Sequence, residues 1–325
     1  MRVSSPKGSA AVTLSRGLPP PSHSRGRAAR ALLSLGVIAL ILAASSAQAQ
    51  SDEHRLEWSS DWARVHPASY AVTGAMGGFS LMFDGFYEGG AEAQLRGPTV
   101  IDQPVRDALM APTDEGREMA GLVSDILLGV MIGWPLIDAL VVAGLGDLSS
   151  DVAWQLTWIA AESYALEMLI NTLFKQLVAR ERPHGSRCTL EDRLENPARC
   201  GPGGRLRSFY SGHSSFSFSA AGQVCVNHAH LPLYGSDAAD AFACGAALLV
   251  ASTVATLRMI ADRHYVTDVL VGAVLGLSTG FLMPYLLHYQ WDPGEAPETT
   301  MTAAPLRAPL TVGFRGPVCS RSEAE

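Results

Sequence analysis

Long apolar stretches separated by short polar clusters fill the second half of this chain. Within each stretch the apolar positions recur with the period of an α-helix, and no alternation typical of a strand interrupts them. Five stretches are long enough for helices that cross a whole domain: residues 120–145, 152–177, 211–226, 238–260 and 265–288. The pattern predicts an all-α fold in which these helices pack as a bundle.

The chain before this half is less regular. Residues 68–86 are moderately apolar and contain several glycines, which is compatible with a helix or a hairpin. Residues 88–119 are charged and broken by Gly and Pro. Behind the N-terminal segment we therefore expect three regions: a polar region with short helices over residues 50–118, a helical domain over residues 119–290 and a disordered tail over residues 291–325.

The first 49 residues have the features of a targeting segment. Arg25, Arg27 and Arg30 precede an apolar run over residues 31–44, and Ala47-Gln48-Ala49 follows it. A basic start, an apolar run and a small-x-small site are typical of a cleaved signal peptide. An uncleaved anchor is the alternative, because the run is close to the shortest length that spans a membrane. We interpret the segment as a signal peptide, which predicts export.

The composition is apolar and acidic. Hydrophobic residues make up 48% of the chain, charged residues 17%, and the formal net charge is -7. The first 49 residues hold six of the 24 Lys/Arg and no acid, so their removal leaves 18 basic and 31 acidic residues, a net charge of -13. So acidic a protein is poorly suited to bind nucleic acid, and we expect no such partner.

Three polar clusters in the helical half carry the candidate chemistry: Lys175 with Arg182-Pro183, Ser211-Gly212-His213, and Arg258 with His264 and Asp268. Lysine and arginine supply fixed positive charges for a tetrahedral oxyanion, and a glycine at a helix start lets backbone N–H groups approach it. One histidine can act as a nucleophile and a second as an acid. Together the clusters predict a site that binds and cleaves a phosphoester.

The spacing within these clusters gives two geometric expectations. Lys175 and Arg182 are two helical turns apart, so both should reach one face of a helix that Pro183 ends. His264 and Asp268 are four residues apart, so they should be neighbours on one helical face. The carboxylate would then hold the ring nitrogen of His264 that does not react.

The three clusters resemble the motifs of the type 2 phosphatidic acid phosphatase (PAP2) family, whose fold is shared with vanadium haloperoxidases. That family has Lys, six residues, Arg-Pro; then Pro-Ser-Gly-His; then Ser-Arg, five residues, His, three residues, Asp. The order and spacing here are the same, but Tyr210 stands where the family has proline and Leu257 where it has serine. Neither position is one to which the family assigns chemistry. The resemblance implies a helical bundle of the PAP2/haloperoxidase type.

The resemblance also implies a role for each matched residue. His264 would be the nucleophile that forms a phosphohistidine, with Asp268 assisting it, and His213 would protonate the leaving group. Five groups would hold the phosphoryl oxygens: Lys175, Arg182, Ser211, the Gly212 backbone and Arg258. The family needs no metal ion and no cofactor for this reaction.

The expected activity is that of a metal-independent phosphatase acting on phosphomonoesters or pyrophosphates, with phosphorylated lipids as the expected substrates. A broad-specificity acid phosphatase of the periplasm, acting on small soluble phosphoesters, is one alternative. The shared fold also permits a vanadate-dependent haloperoxidase, in which the same pocket holds vanadate. A binding protein without catalytic activity is a further alternative. The physiological substrate, its leaving group and the oligomeric state stay open at this point.

The apolar stretches raise the question of a membrane. Residues 269–287 carry no charge and can span the hydrocarbon core, and residues 241–257 are nearly as suitable. Four acids interrupt the earlier stretches: Asp125, Asp138, Glu162 and Glu167. An acid in mid-membrane costs about 2.5 to 3.5 kcal/mol, unless it faces the bundle interior. We expect an integral membrane protein of the cell envelope with a periplasm-facing site, and a soluble periplasmic enzyme is the alternative.

Export of the chain would allow its cysteines to form disulfides. Cys188 and Cys200 bracket a polar segment between the first two clusters, and in an oxidising compartment they would close it with a disulfide. Cys225 and Cys244 lie in apolar helical stretches, where we expect buried, unpaired thiols. Cys319 lies in the tail and is left unassigned.

Two further patterns concern packing. Gly272, Gly276 and Gly280 recur every four residues, which favours close packing of one helix on another. Glu167 and Asn171 precede Lys175 at the same spacing, so the three side chains share a helical face. We interpret this stripe as a polar contact between helices, with a role for Glu167 behind the site as a hypothesis.

Overall fold

The computed structural model describes residues 56–86 and 93–290. The expected signal segment, residues 1–49, and the expected tail, residues 291–325, lie outside the described residues, as does Cys319. Seven α-helices of eight or more residues form in the described part, and we number them α1 to α7 in chain order: Pro67–Phe86, Asp102–Leu109, Asp114–Ile137, Ser150–Val178, Gly212–His230, Asp237–Ile260 and Val266–Leu277. The described residues contain no strand, so the fold is all-α.

Two of the helices are longer than these bounds. The π-helix Asp138–Gly146 continues α3, and π-helical turns extend α7 so that a continuous helix covers Val266–Tyr289. Residues 68–86, which the sequence left open between helix and hairpin, are the helix α1. The segment from residue 179 to residue 211 contains only short helical turns and crosses the end of the bundle.

The long helices run between two ends of the bundle, which we call the site end and the far end. At the far end the first described residues meet the end of α7 and the start of α4, since Ala63 N–H donates to the His288 carbonyl at 2.9 Å and Val65 N–H to Gln155 Oε1 at 2.8 Å. At the site end α2 meets the turn after α6, where Arg106 Nε donates to Asp262 Oδ1 at 2.7 Å. The described chain therefore enters and leaves the bundle at the far end.

The central helix is α5, which packs against α3, α4, α6 and α7 and is mostly buried. Its contact with α7 is made backbone to backbone. A Cβ atom on Gly276 would collide with the Ser215 carbonyl, and one on Gly280 would collide with the Ser219 carbonyl. Glycine at these two positions lets the helix axes approach more closely than any side chain would permit.

The apolar core consists of two clusters of buried side chains. One lies at the far end and joins the first described residues to α4 and the end of α7, with Leu56, Trp58 and Tyr289 among its members. The other joins α3, α5 and α6 and is built mainly from alanines around Met131 and Val224. Small side chains in the second cluster allow the middle of α5 to pack closely against α3 and α6.

Two disulfides join described residues. Cys188 and Cys200 close the crossing segment at the site end, with their Cα atoms 5.7 Å apart. Cys225 and Cys244 also form a disulfide, which links α5 to α6. The expectation that this second pair consists of unpaired buried thiols is therefore wrong. Helical periodicity shows that both cysteines face inward, but it does not show that two inward faces meet.

Three of the helices are long and apolar enough to cross a membrane: Asp114–Gly146, Asp237–Ile260 and Val266–Tyr289. Large apolar side chains are exposed along their outer faces: Leu122, Val130, Ile137, Phe242, Leu249, Leu270 and Val274. The acids that interrupt the apolar stretches face inward at three positions, because Asp138, Glu162 and Glu167 are buried among the helices. An acid in a membrane is energetically costly when it contacts lipid. These three acids contact protein instead, so their cost does not argue against a membrane setting.

Candidate active site

Three chain segments bring the sequence-derived site residues together at the site end of the bundle. They are the end of α4 with the residues that follow it, the start of α5, and the end of α6 with the turn into α7. Ser211 N–H donates to the Asp268 carbonyl at 3.1 Å, which joins the second segment to the third. A Cβ atom on Gly212 would lie 3.1 Å from Lys175 Nζ, so the first two segments are also in contact.

His264 lies in the turn before α7 and is 4% exposed. Its Nδ1 lies 2.8 Å from the Ser208 carbonyl oxygen. A carbonyl can only accept, so Nδ1 carries the hydrogen and the lone pair is on Nε2. No hydrogen bond joins Nε2 to any residue that the structure describes. Burial, reinforced by the nearby Arg182 and Arg258, holds the pKa of His264 well below its usual value, so the ring is neutral at neutral pH.

Asp268 does not hold His264 directly, which corrects the expectation drawn from their spacing. The carboxylate oxygen Oδ2 lies 3.8 Å from His264 Nδ1, beyond hydrogen-bond distance. It accepts instead from Ser208 Oγ at 2.6 Å and from Tyr265 N–H at 3.0 Å. The reason is local: α7 begins at Val266, so His264 precedes the helix while Asp268 caps it. Ser208 therefore connects the two, with its carbonyl on the imidazole and its hydroxyl on the carboxylate.

Arg180 is a second partner of Asp268 that the sequence motifs do not include. The guanidinium is 1% exposed and forms ion pairs at 2.6 Å with both Asp268 and Asp102 of α2. Its central carbon lies 4.4 Å from the centre of the Tyr265 ring. A buried arginine with two carboxylates fixes the position of both, so it holds the start of α7 against α2.

Lys175 and Arg182 supply positive charge without a direct ion pair. Neither forms one with an acid in the part of the chain that the structure describes, and the Arg182 guanidinium donates only to the Arg207 carbonyl, at 3.4 Å. Burial, with the charges of Arg207 and Arg182, lowers the pKa of Lys175 to about 7. Burial, with the charges of Arg258 and Arg263, lowers the pKa of Arg182 to about 9. Such a group of desolvated cations is stabilised when an anion binds.

The two cations do not share one helix, contrary to the expectation from their spacing. The helix α4 ends at Val178, and Ala179 has the left-handed φ of 39°. Arg182 is in extended backbone, followed by the 3-10 turn Pro183–Arg187. The chain reverses between the two side chains and brings Arg182 back toward the site, a change of direction that helical spacing alone cannot show.

Ser211 and Gly212 form the start of α5. The Ser211 hydroxyl accepts from Ser214 N–H at 3.3 Å and therefore caps the helix, while its own hydrogen is free to be donated. The space around Gly212 is limited by Lys175 Nζ and Asn171 Oδ1, both 3.1 Å from where a Cβ would lie. A glycine at this position keeps the lysine close to the backbone N–H groups of the first turn.

His213 and Arg258 meet at a carboxylate from outside the three clusters. Asp125 Oδ1 of α3 lies 2.7 Å from His213 Nε2 and 2.9 Å from Arg258 NH1. Arg258 NH1 also donates to Ser124 Oγ at 3.0 Å. Burial and the charge of Arg258 lower the pKa of His213, and Asp125 opposes this shift. The sequence showed Asp125 only as an acid in an apolar stretch.

All eight site residues named from the sequence thus lie at one end of the bundle. The imidazole of His264 is neutral, has one nitrogen without a hydrogen bond to a described residue, and lies among buried cations, an arrangement suited to an oxyanion. Fold and site together define an all-helical protein with a buried cluster of cations and histidines at one end of its bundle. Ser208, Arg180, Asp102 and Asp125 complete the site and were missed, because hydrogen bonds between distant segments leave no periodic signal in a sequence.

Comparison with known proteins finds a family pattern in this region. The family model of the PAP2 superfamily matches residues 156–292, so this part of the chain is similar to that superfamily. The match supports hydrolytic activity of the phosphatase type. No curated protein and no solved structure matches the chain. The matched range includes the three clusters, whereas Asp102 and Asp125 lie outside it.

Proposed function

We propose that this protein is a metal-independent phosphatase that hydrolyses phosphorylated lipids through a phosphohistidine on His264. The observation that carries the proposal is the state of the His264 ring: Nδ1 donates to the Ser208 carbonyl at 2.8 Å, and Nε2 has no bond to a described residue. A neutral imidazole held in this tautomer presents its lone pair to a phosphorus atom. The cations of Lys175 and Arg182 beside it supply the charge that a metal ion supplies in other phosphatases.

In the first step of the proposed reaction, Nε2 of His264 bonds to phosphorus and the bond from phosphorus to the leaving oxygen breaks. The His213 ring gives a proton to that oxygen. The phosphoryl oxygens lie against Lys175, Arg182 and Arg258, whose charges match the charge spread over the transition state. The phosphohistidine carries a positive ring, which the Ser208 carbonyl stabilises through the Nδ1 hydrogen.

In the second step a water molecule attacks phosphorus and the bond to Nε2 breaks. His213, now neutral, accepts the proton of the water, and phosphate leaves with His264 in its original state. Each histidine returns to its starting protonation state, so the cycle consumes one water molecule and nothing else.

The proposal of lipid substrates rests on the outer surface of the bundle. Three helices meet the length and composition for crossing a membrane, and their outward faces carry exposed large apolar side chains. A site at one end of such a bundle lies at the level of lipid headgroups when the helices span the bilayer. Phosphate esters or pyrophosphates of lipids are therefore the substrates that this setting supports best.

The disulfides support a placement of the site outside the cytoplasm. Cys188 and Cys200 close the segment that crosses the site end of the bundle. Disulfides persist in oxidising compartments such as the periplasm and are rare in the cytosol. We therefore propose an envelope protein with its site exposed to the periplasm.

The replacement His264→Ala tests the proposed function. We expect the release of phosphate from a phosphorylated lipid in detergent micelles to fall by more than about a thousandfold, because the nucleophile is lost. Rapid quenching in alkaline detergent with a 32P-labelled substrate should trap a base-stable, acid-labile phosphoprotein in the wild type and none in the variant. The control is His66→Ala, since His66 is exposed at the far end and should leave both measurements unchanged.

Two results would contradict the proposal. One is full turnover by His264→Ala, which would remove the histidine from the reaction. The other is halide oxidation by the wild type with added vanadate and peroxide in the absence of phosphatase turnover. That result would indicate a haloperoxidase that uses the same cations to hold vanadate.

A further inference from the structure

One carboxylate contacts two of the proposed reacting groups and has no role in the proposed mechanism. Asp125 Oδ1 lies 2.7 Å from His213 Nε2 and 2.9 Å from Arg258 NH1. The Asp125 side chain is 58% exposed, so it stands at the solvent-facing edge of the site. It belongs to α3, which precedes the residues that match the superfamily.

The contact defines what each nitrogen of His213 can do. A carboxylate accepts hydrogen bonds, so Nε2 carries a hydrogen and donates it to Asp125. The second ring nitrogen, Nδ1, forms no hydrogen bond with any described residue. When the ring is protonated, the hydrogen on Nδ1 is the one that can be given away while Nε2 stays bonded to the carboxylate.

We propose that Asp125 is a positioning residue that holds His213 through Nε2, so that its Nδ1 hydrogen is directed to the leaving oxygen. This inference rests on the proposed phosphatase function. During the first step the Nδ1–H bond breaks and the hydrogen joins the leaving oxygen as its bond to phosphorus is lost. During the second step Nδ1 accepts a hydrogen from the attacking water. Asp125 accepts the hydrogen bond from Nε2 in both steps and exchanges no proton.

The charges around His213 show why a carboxylate is needed there. The titratable groups that face His213 lie on four elements: Asp125 of α3, Lys175 of α4, Arg258 of α6 and the neutral His264 before α7. The lysine, the arginine and burial all disfavour a protonated His213, and Asp125 alone among these groups favours it. The first step requires the protonated ring, so the carboxylate increases the fraction of enzyme that can start the reaction.

The second contact gives the carboxylate a further effect. Arg258 NH1 is shared between Asp125 and Ser124 Oγ, which fixes the guanidinium at the end of α6. The same oxygen of Asp125 therefore contacts both His213, the proposed proton donor, and Arg258, a cation proposed to hold the phosphoryl group. Displacement of this oxygen would move both groups relative to the reacting phosphorus.

The variant Asp125→Asn tests the inference with two substrates that differ in leaving group. A p-nitrophenyl phosphoester needs no proton on its leaving oxygen, whereas an alkyl phosphoester does. We expect kcat/KM for the alkyl substrate to fall about 30- to 100-fold and that for the p-nitrophenyl substrate to fall less than about threefold. With the alkyl substrate, the decline of activity toward high pH should begin at lower pH, because His213 without its carboxylate holds its proton less strongly.

The control variant is Asp114→Asn. Asp114 also lies on α3 but is 74% exposed on its side chain and pairs with Arg117 of the same helix. It should leave the ratio of the two kcat/KM values and the pH profile unchanged. The variant Asp125→Glu retains the carboxylate, and we expect it to restore at least part of the alkyl-phosphoester activity.

Equal losses of kcat/KM for both substrates, with an unshifted pH profile, would overturn the inference and leave Asp125 as a contact that only joins α3 to α5 and α6. If Asp125→Asn does not fold, the test uses Asp125→Glu, whose longer side chain displaces the carboxylate. If the contact positions the His213 ring, this variant must change the ratio of kcat/KM for the alkyl substrate to that for the p-nitrophenyl substrate. A wild type without phosphohistidine would instead contradict the proposed function itself. The two failures are therefore distinguishable.

Discussion

At the scale of single residues, a main-chain carbonyl orients the proposed nucleophile. The spacing of His264 and Asp268 suggested a direct contact, but the Ser208 carbonyl occupies that position at 2.8 Å and Asp268 lies 3.8 Å away. The motifs predicted which side chains gather at the site. They could not predict Ser208, because a carbonyl is present at every residue and its use depends on the path of the crossing segment.

Tyr210 shows what one departure from the family motif does. It is fully buried, and its hydroxyl donates to Glu167 Oε1 at 2.8 Å. The other oxygen of Glu167 accepts from Thr279 Oγ1 at 3.1 Å, and Asn171 Nδ2 donates to the Tyr210 carbonyl at 3.4 Å. Proline would restrict the backbone here, whereas tyrosine ties the same backbone to α4 and α7. The polar stripe ahead of Lys175 is thus a contact with the segment that precedes Ser211.

The variant Tyr210→Phe should destabilise the protein and weaken the binding of phosphate. Removal of the hydroxyl takes one donor away from the buried carboxylate of Glu167, which costs about 1 to 3 kcal/mol. Denaturant unfolding in detergent measures this loss. Inorganic phosphate, tested as a competitive inhibitor, should bind less tightly because the backbone before Ser211 loses an anchor.

The matched control is Tyr285→Phe, since the Tyr285 hydroxyl has no hydrogen bond to a described residue and its ring packs on Phe281. That change should leave both quantities close to wild type. Unchanged stability of Tyr210→Phe would show that Glu167 does not depend on the hydroxyl.

At the scale of helices, the contact between α5 and α7 determines how the site is assembled. The start of α5 carries Ser211 and His213, and the turn before α7 carries His264, so the separation of these helices sets the separation of the two proposed catalytic rings. The carbonyl of Ser215 lies where a Cβ on Gly276 would be. The repeated glycines in the sequence predicted close packing, but they did not identify α5 as the partner.

The variant Gly276→Ala should destabilise the fold and reduce activity. The added methyl group overlaps the Ser215 carbonyl, which belongs to a backbone that cannot rotate away, so the helices must separate. We expect a loss of about 1 to 3 kcal/mol in the free energy of unfolding, the usual cost of overpacking a core. The midpoint of thermal unfolding and the rate of phosphate release should fall together.

Gly245→Ala is the control for this change. Gly245 lies in α6, and a Cβ there would meet no atom within 4 Å. Alanine should therefore leave stability unchanged or raise it slightly, because glycine is the poorer helix former. A stable, fully active Gly276→Ala protein would show that the two helices can separate without consequence for the site.

Helix ends were less predictable than helix interiors. The apolar periods indicated the long helices, since those periods reflect burial on one face. The end of α4 at Val178 depends on the left-handed backbone of Ala179, which is an unusual residue for that conformation. Similarly, Cys225 and Cys244 each fit an apolar helix, and only the packing of α5 on α6 makes them partners.

At the scale of the whole molecule, the described helices present an apolar outer surface compatible with membrane association. Apolar side chains are exposed along the outward faces of three long helices, while Asp138, Glu162 and Glu167 are buried inside. Composition predicted the apolar helices and left the acids unexplained. Their inward direction required the packing, because an acid on an apolar helix can face either lipid or protein.

Fractionation of cells that express the full chain should recover the protein in the membrane pellet. The protein should resist extraction with alkaline carbonate or high salt, since neither treatment removes the apolar faces of its three helices from contact with lipid. Solubilisation should require detergent. Release by osmotic shock would contradict the membrane placement and favour a soluble periplasmic phosphatase, without affecting the arrangement of the site.

The ion pairs of Arg180 limit which fragment of this chain can be transferred to another protein with the site intact. Asp102, one of its two partners, lies 54 positions before the first residue that the superfamily pattern covers. A fragment that begins at residue 156 would retain Arg180 and Asp268 but lose Asp102, so the buried guanidinium would keep only one of its two carboxylate partners. A fragment that preserves both ion pairs must therefore start upstream of the matched range and include α2.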